Sequence, residues 1–269
     1  MIVALMCFAY QGYPKQPYKV NAFMKHLRKQ WIILVLSLFF TALAYSSPVP
    51  IQHIEDNIQT SDLTPEQALA KLQRGNANFL AGKPIVHDLL KQAAVTQHAQ
   101  YPYAVILSCM DSRSSPELIF NQGIGDIFSL RVAGNVLNED ELGSLEYGTV
   151  ISSSKVIVVM GHSDCNDLKG ACRDSKLGHL TPLFAKIKPA IVVTGRAWHG
   201  VVCDNPNFIN AAAKENVLLV MGEIVQQSSI LKQLIAEKKI MLVGAMYDLA
   251  TGKVTFFQFP KTVNKLSMR

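Results

Sequence analysis

The 269-residue chain reads as an α/β protein with a mostly parallel central β-sheet, about four strands plus an antiparallel edge strand, flanked by helices. Three observations predict this. Short apolar, β-branched runs recur along the chain, the mark of strands covered on both faces. These runs alternate with helical segments, so parallel neighbours are joined through helical crossovers. The two clusters richest in reactive side chains each follow directly on such a run, beyond the carboxyl end of a strand, where open α/β sheets gather their chemistry.

The elements follow in order. Thr64-Pro65-Glu66-Gln67 opens a helix, with Thr64 as cap, Pro65 at the first helical position and Gln67 completing a capping box; the helix is predicted to reach Leu80 and stop at Gly82. Residues 103–108 form the first strand and residues 126–132 the second. Residues 138–153 read as a helix with apolar positions Leu142, Leu145 and Val150, and residues 155–161 as a third strand. Helical signals cover residues 164–172, 178–190 and 207–237, the last broken near Ser228-Ser229. Residues 240–247 are again strand-like, and residues 253–259 return through a tight turn at Thr251-Gly252 as the antiparallel edge.

The chemistry lies in Cys109-Met110-Asp111-Ser112-Arg113 and His162-Ser163-Asp164-Cys165. Catalytic zinc keeps three protein ligands, two Cys and one His among the sets it uses, whereas structural zinc usually takes four. Cys109, His162 and Cys165 fit the three-ligand kind. If the chain stays extended past the first strand, Cys109, Asp111 and Arg113 project the same way. Asp111 then has two available jobs. It can bind the metal as a fourth ligand in a closed state, or accept a hydrogen bond from metal-bound water while Arg113 holds its other oxygen. The planar, permanently charged guanidinium of Arg113 suits the second job.

Taken singly, each residue has a blander reading. A Cys at a strand end is more often core filler, a His in a turn is a satisfied polar group, and an exposed Asp–Arg pair is worth about 0–1 kcal/mol. Their joint occurrence at two strand ends is what points to a metal site.

Cys109-x-Asp111-x-Arg113 with His162-x-x-Cys165 resembles the β-class carbonic anhydrases. The flanking text SCMDSRSSPELIFNQGIGDIFSLRVAGN, GSLEYG and GHSDC resembles their bacterial branch, over residues 63–257. The resemblance implies one zinc ion per subunit and reversible hydration of carbon dioxide to bicarbonate and a proton. Zinc hydroxide would be the nucleophile and Asp111 with Arg113 the catalytic pair. It also implies a homodimer or dimer of dimers, with the N-terminal helix as an arm on the neighbouring subunit. Two other classes stay open: a zinc-binding module without turnover, with Asp111 bound as fourth ligand and Asn166 obstructing substrate, and a lyase or hydrolase for a carbon dioxide analogue such as carbon disulfide. Arg113 favours an enzyme, because a carboxylate released from zinc needs a waiting partner. The chain departs from the family pattern at Asn166, where Gly usually follows the second Cys, at Asp167, where a small residue is usual, and at Ser114-Ser115, where Val-Pro is common.

The remaining reactive residues carry weaker signals. Cys172 reads as a core thiol on a helix turning away from the metal, and whether loop-borne Cys203 pairs with it is left open by the sequence. His87, His98, His179 and His199 read as surface or turn residues. Phe120, Tyr147 and Leu168 read as core packing rather than cleft lining.

The leader addresses the chain elsewhere. Residues 24–30 form a basic n-region, residues 31–43 an apolar h-region, and Ala42-Leu43-Ala44 a small-x-small cleavage site, so residues 24–44 read as a secretory signal with translation starting at Met24. The apolar run is shorter than the roughly 18 residues of a membrane span. A periplasmic or secreted protein is expected, with residues 45–62 as a flexible lead-in and residues 63–269 as a single zinc domain. Of 26 basic and 20 acidic residues, residues 1–44 hold five basic and no acidic ones, leaving 21 against 20. The sequence pI of about 9.0 therefore belongs to the leader, and neither nucleic acid nor, after signal cleavage, a membrane is expected as partner.

Overall fold

The computed structural model describes residues 62–258. The expected signal segment, the expected cleavage site and nearly all of the expected lead-in lie outside the described residues. Four strands run parallel: β1 (Ala104–Ser108), β2 (Ile127–Arg131), β3 (Val156–His162) and β4 (Met241–Tyr247). The fifth, β5 (Val254–Gln258), pairs antiparallel with β4, giving the order β2-β1-β3-β4-β5. β1 and β3 occupy the middle of the sheet and are buried along their whole length, which is why they read as continuous apolar runs.

Alternate residues of each strand feed opposite layers, as a period of two requires. Ala104, Ile106, Val156, Val158 and Met160 pack with Ala68, Leu72, Ile119 and Phe120 on one face. Val105, Leu107, Ile157 and Val159 pack with Leu145, Val217, Met221 and Ile224 on the other.

Helix α1 (Pro65–Leu80) has the predicted capping box with Thr64. Its buried face serves this chain's own core, where Ala68 and Leu72 lie. Asn76, nearly fully buried, donates to the carbonyls of Ile119 and Gly252 and accepts from Val254 N–H, pinning the helix to its own edge strand. Two helices were not expected, α2 (Leu89–Thr96) and α3 (Pro116–Ile119). The first buries only Gln92 and so has no apolar stripe to betray it, and the second is four residues long.

Helix α4 (Glu139–Glu146) starts at the Asn138 cap and passes into a π-turn over Tyr147–Ile151. Helix α5 (Asn166–Cys172) follows β3. Helix α6 (Leu180–Ala197) runs well past the expected end at 190, straight through Pro189. Proline removes one helical hydrogen bond, but Ile187, Ala190, Ile191 and Thr194 are buried on the inner face, and that packing carries the helix on. Helices α7 (Pro206–Gln227) and α8 (Ser229–Ala236) meet at the predicted break. There Ser228 caps α8 by accepting from Leu231 N–H while its hydroxyl donates to Glu146. No helix among the described residues is long and apolar enough to cross a membrane.

Candidate metal centre

The register of β1 and β3 assembles the site. Ser108 is level with Met160, so Cys109, the next residue of the first chain segment, emerges beside His162, the last residue of β3. The chain then turns at Asp164, whose φ of 55° is held by its N–H donating to Asn210, and returns Cys165 to the same point as the cap residue of α5. Cys109, His162 and Cys165 are all buried, and their ligand atoms lie within 4.8 Å of one another. Both sulfurs are free thiols.

Donor chemistry tests whether a metal fits. His162 Nδ1 lies 2.8 Å from the Ser163 carbonyl, which can only accept, so Nδ1 carries the proton and Nε2 presents its lone pair. Nε2 is buried and has no hydrogen-bond partner. An orphaned nitrogen lone pair facing two buried sulfurs is what a thiophilic cation satisfies.

The sulfurs share one proton unequally. Cys109 is pushed well below the ordinary thiol range, first by the hydrogen bond from Cys165 and then, against the cost of burial, by His162 and the N–H groups of Asp111 and Gly134. Cys165 is raised correspondingly by the same bond and by burial. Burial favours a neutral His162, yet the Cys109 sulfur beside it more than offsets this and raises its pKa; the proton so favoured is the one a metal displaces.

Asp111 and Arg113 meet differently from the extended projection expected. The chain turns after Asp111: Arg113 N–H and Nε–H both donate to Asp111 Oδ1 at 2.9 Å, and Nη2 donates to Oδ2 at 2.7 Å. The Arg113 guanidinium holds the Asp111 carboxyl far below the usual carboxylate range. Asp111 Oδ2 stands 3.9 Å from His162 Nε2, at the rim of the triad.

Asp167 is the neighbour that sequence reasoning left without a role. Its Oδ2 accepts from Gly134 N–H at 2.9 Å and lies 3.3 Å from Cys109 Sγ and 3.8 Å from Cys165 Sγ. Burial first, and then the Cys109 sulfur, pushes its carboxyl up to about 6. Only its position two residues past Cys165 hinted at this. Asn166 is exposed and opens α5 without a positive φ, so glycine's conformational freedom is not needed there.

Cys172 is not a core thiol: it forms a disulfide with Cys203, Cα–Cα 5.7 Å, which also removes it as a fourth ligand. Phe120 and Leu168 are core residues, whereas Tyr147 is half exposed and sets its edge against Phe128. His87 bonds the Asn121 carbonyl and Gln92, and His98, His179 and His199 are exposed.

A buried sulfur–nitrogen–sulfur triad at the carboxyl end of a parallel sheet defines an α/β metalloprotein. The sequence profile of the carbonic anhydrase family matches residues 104–254, and the chain belongs to that family, in its β class. A carbonic anhydrase of Mycolicibacterium smegmatis is 30% identical over 197 residues, 71% of this chain and 92% of its own. Carbonic anhydrase 2 of Mycobacterium tuberculosis is 31% identical over 195 residues, 70% and 91% of the two chains. Among solved structures, the β-carbonic anhydrase CcaA shares the fold with a TM-score of 0.56 at 24% identity, covering 71% of this chain and 86% of its own. A Coccomyxa β-carbonic anhydrase solved with acetazolamide gives 0.56 at 23% identity over 70% and 83%. β-Carbonic anhydrases are zinc enzymes, and Cys109, His162 and Cys165 are a group able to hold such an ion.

Proposed function

We propose that the protein reversibly hydrates carbon dioxide to bicarbonate and a proton, with zinc held by Cys109, His162 and Cys165 and with Asp111 and Arg113 as catalytic residues. The observation that carries this is the unpartnered, buried Nε2 of His162 facing two buried sulfurs, with an arginine-held carboxylate at the rim. Zinc, when bound, supplies a Lewis acid that makes water nucleophilic near neutral pH.

The chain's own residues do the rest. Asp111 stays ionised throughout the neutral range because Arg113 depresses its pKa. Oδ1 is taken up by two N–H donors, so Oδ2, with one donor, keeps a lone pair to accept a hydrogen bond from the attacking water and aim it. The same bonds give Asp111 the waiting partner that a carboxylate released from zinc needs, which favours turnover over a closed, non-catalytic module. Asn166 supports turnover as well, since it fits the first helical turn and faces solvent.

We infer further that the protein is exported through the segment 24–44 and works in the periplasm or outside the cell. The Cys172–Cys203 disulfide supports this, because such bonds persist in oxidising compartments. Self-association as a dimer or dimer of dimers is supported by the exposed apolar side chains of Met110, Leu118, Val150 and Ile151. Two related enzymes of Sordaria macrospora are described as tetrameric.

Stopped-flow hydration from about pH 6.5 to 9, combined with metal analysis, tests the reading. The expected result is a zinc-dependent rate that falls about 100-fold in Asp111→Asn with zinc content unchanged. A fully zinc-loaded protein with no hydration rate would overturn it.

A further inference from the structure

We propose that Arg131, assisted by Ser114, is a positioning residue that holds the Asp111–Arg113 pair in register with the metal ligands by gripping the backbone between them. The proposal rests on the function proposed above.

The loop from Cys109 to Ser114 carries a metal ligand at one end and the Asp–Arg pair a few residues on, yet little apolar packing fixes it. Met110 between them is 62% exposed. Its shape is set by hydrogen bonds: Asp111 N–H donates to the Cys109 sulfur and Arg113 N–H to Asp111 Oδ1 within the loop, and two of its carbonyls are gripped from Arg131 and Ser114. Arg131, the last residue of β2 and level with Ser108, donates from Nε to the Cys109 carbonyl at 3.3 Å and from Nη2 to the Asp111 carbonyl. Ser114, almost wholly buried, turns its hydroxyl to the same two oxygens, 3.4 Å from Cys109 O and 3.0 Å from Asp111 O. Ser114 N–H also donates to Asp111 O.

The Cys109 and Asp111 carbonyls are thus gathered by one guanidinium and one hydroxyl. Ladder bonds from Val132 N–H to Ser108 O and from Met110 N–H to Val132 O run just beneath, so the grip is braced by β2.

The physical consequence concerns Asp111 rather than the metal. Where its carboxylate stands depends on the backbone at Asp111 itself, and that carbonyl is the one Arg131 and Ser114 hold. Cys109, by contrast, is anchored directly at the end of a buried strand. A planar fork with fixed donors reaches two carbonyls at once, which a lysine ammonium on a flexible stem does not reproduce.

The test uses the full chain, zinc-loaded and cobalt-substituted, as wild type, Arg131→Ala, Arg131→Lys and Ser114→Val. In Arg131→Ala, kcat is expected to fall about 10- to 100-fold, the cost of a misplacement near 1 Å. Zinc affinity by chelator competition should stay within about threefold, since the three ligands remain. Added guanidinium chloride should restore part of the lost kcat in Arg131→Ala and leave wild type unchanged, Arg131→Lys should recover little, and Ser114→Val should lose only about two- to fivefold. The visible bands of the cobalt protein should shift in Arg131→Ala and return with guanidinium.

Wild-type kcat in Arg131→Ala, or unchanged cobalt bands, would overturn the proposal. So would a loss matched by lost zinc affinity and not relieved by guanidinium. A zinc-loaded wild type without hydration activity sinks the carbon dioxide reading instead, and the cobalt spectra still decide the role of Arg131.

Discussion

Two cysteine pairs share one apolar cluster in opposite chemical states. Cys109 and Cys165 are reduced and converge with an imidazole, whereas Cys172 and Cys203 are bonded to each other. One helix, α5, connects them: Cys165 caps its start and Cys172 ends it. What separates the two fates is the third group. The first pair has His162 within ligand distance and an orphaned nitrogen to be satisfied, so a cation stabilises it as two sulfurs apart. The second has no such nitrogen and closes on itself.

The sharpest way to break the contrast is to take the metal away. In metal-stripped protein treated with diamide, Cys109 and Cys165 are expected to join, their two thiols losing two protons and two electrons to the diamide. Returning zinc should then restore neither metal content nor activity until a reductant is added, as zinc titration and thiol counting would show. Full recovery on zinc alone would mean that the pair does not close.

Next in size is the other pair. Replacing both Cys172 and Cys203 by alanine opens a loop of sequence separation 31 and should cost about 3–4 kcal/mol in urea unfolding. Zinc content and kcat should stay within about twofold of wild type, because the bond lies at the far end of α5 from the ligands. A collapse of zinc binding would show that the two ends of the helix are coupled.

The third effect is a pH dependence in the metal-free protein. The Asp167 carboxyl, pushed up to about 6 by burial and by the Cys109 sulfur, lies above its unfolded value. The stability it contributes is therefore full below the ordinary carboxylate pKa and is lost as pH rises through about 6. Between about pH 4 and 7 wild type should lose on the order of 2 kcal/mol relative to Asp167→Asn, which removes the titration. Parallel pH profiles of the two proteins in denaturant melts would refute this.

The smallest effect belongs to Asn166→Gly. Asn166 is exposed and in helical conformation, so restoring the family glycine should change kcat less than about twofold and cost under about 1 kcal/mol. A large gain in kcat would show that Asn166 obstructs the site after all.

Much of the fold was legible because it is written in near neighbours. The buried strands β1 and β3 are unbroken apolar runs, the Thr64 box needs only four residues, and Ser228 marks its break through its own hydroxyl. Helix α2 was not legible, since it buries a single polar side chain. The run of α6 through Pro189 was not either, because the packing that sustains it comes from elsewhere in the chain.

By itself the sequence determined which residues could meet a metal. Two thiols and an imidazole at the ends of two apolar runs leave few other readings, since strand ends in a parallel sheet converge on one edge. Only the tertiary structure decided that Cys172 joins Cys203, that Asp167 leans on both ligand sulfurs, that Arg113 reaches back through a turn, and that Arg131 grips the loop from the next strand. Those contacts depend on how separate segments approach in space, which no local pattern of residues encodes.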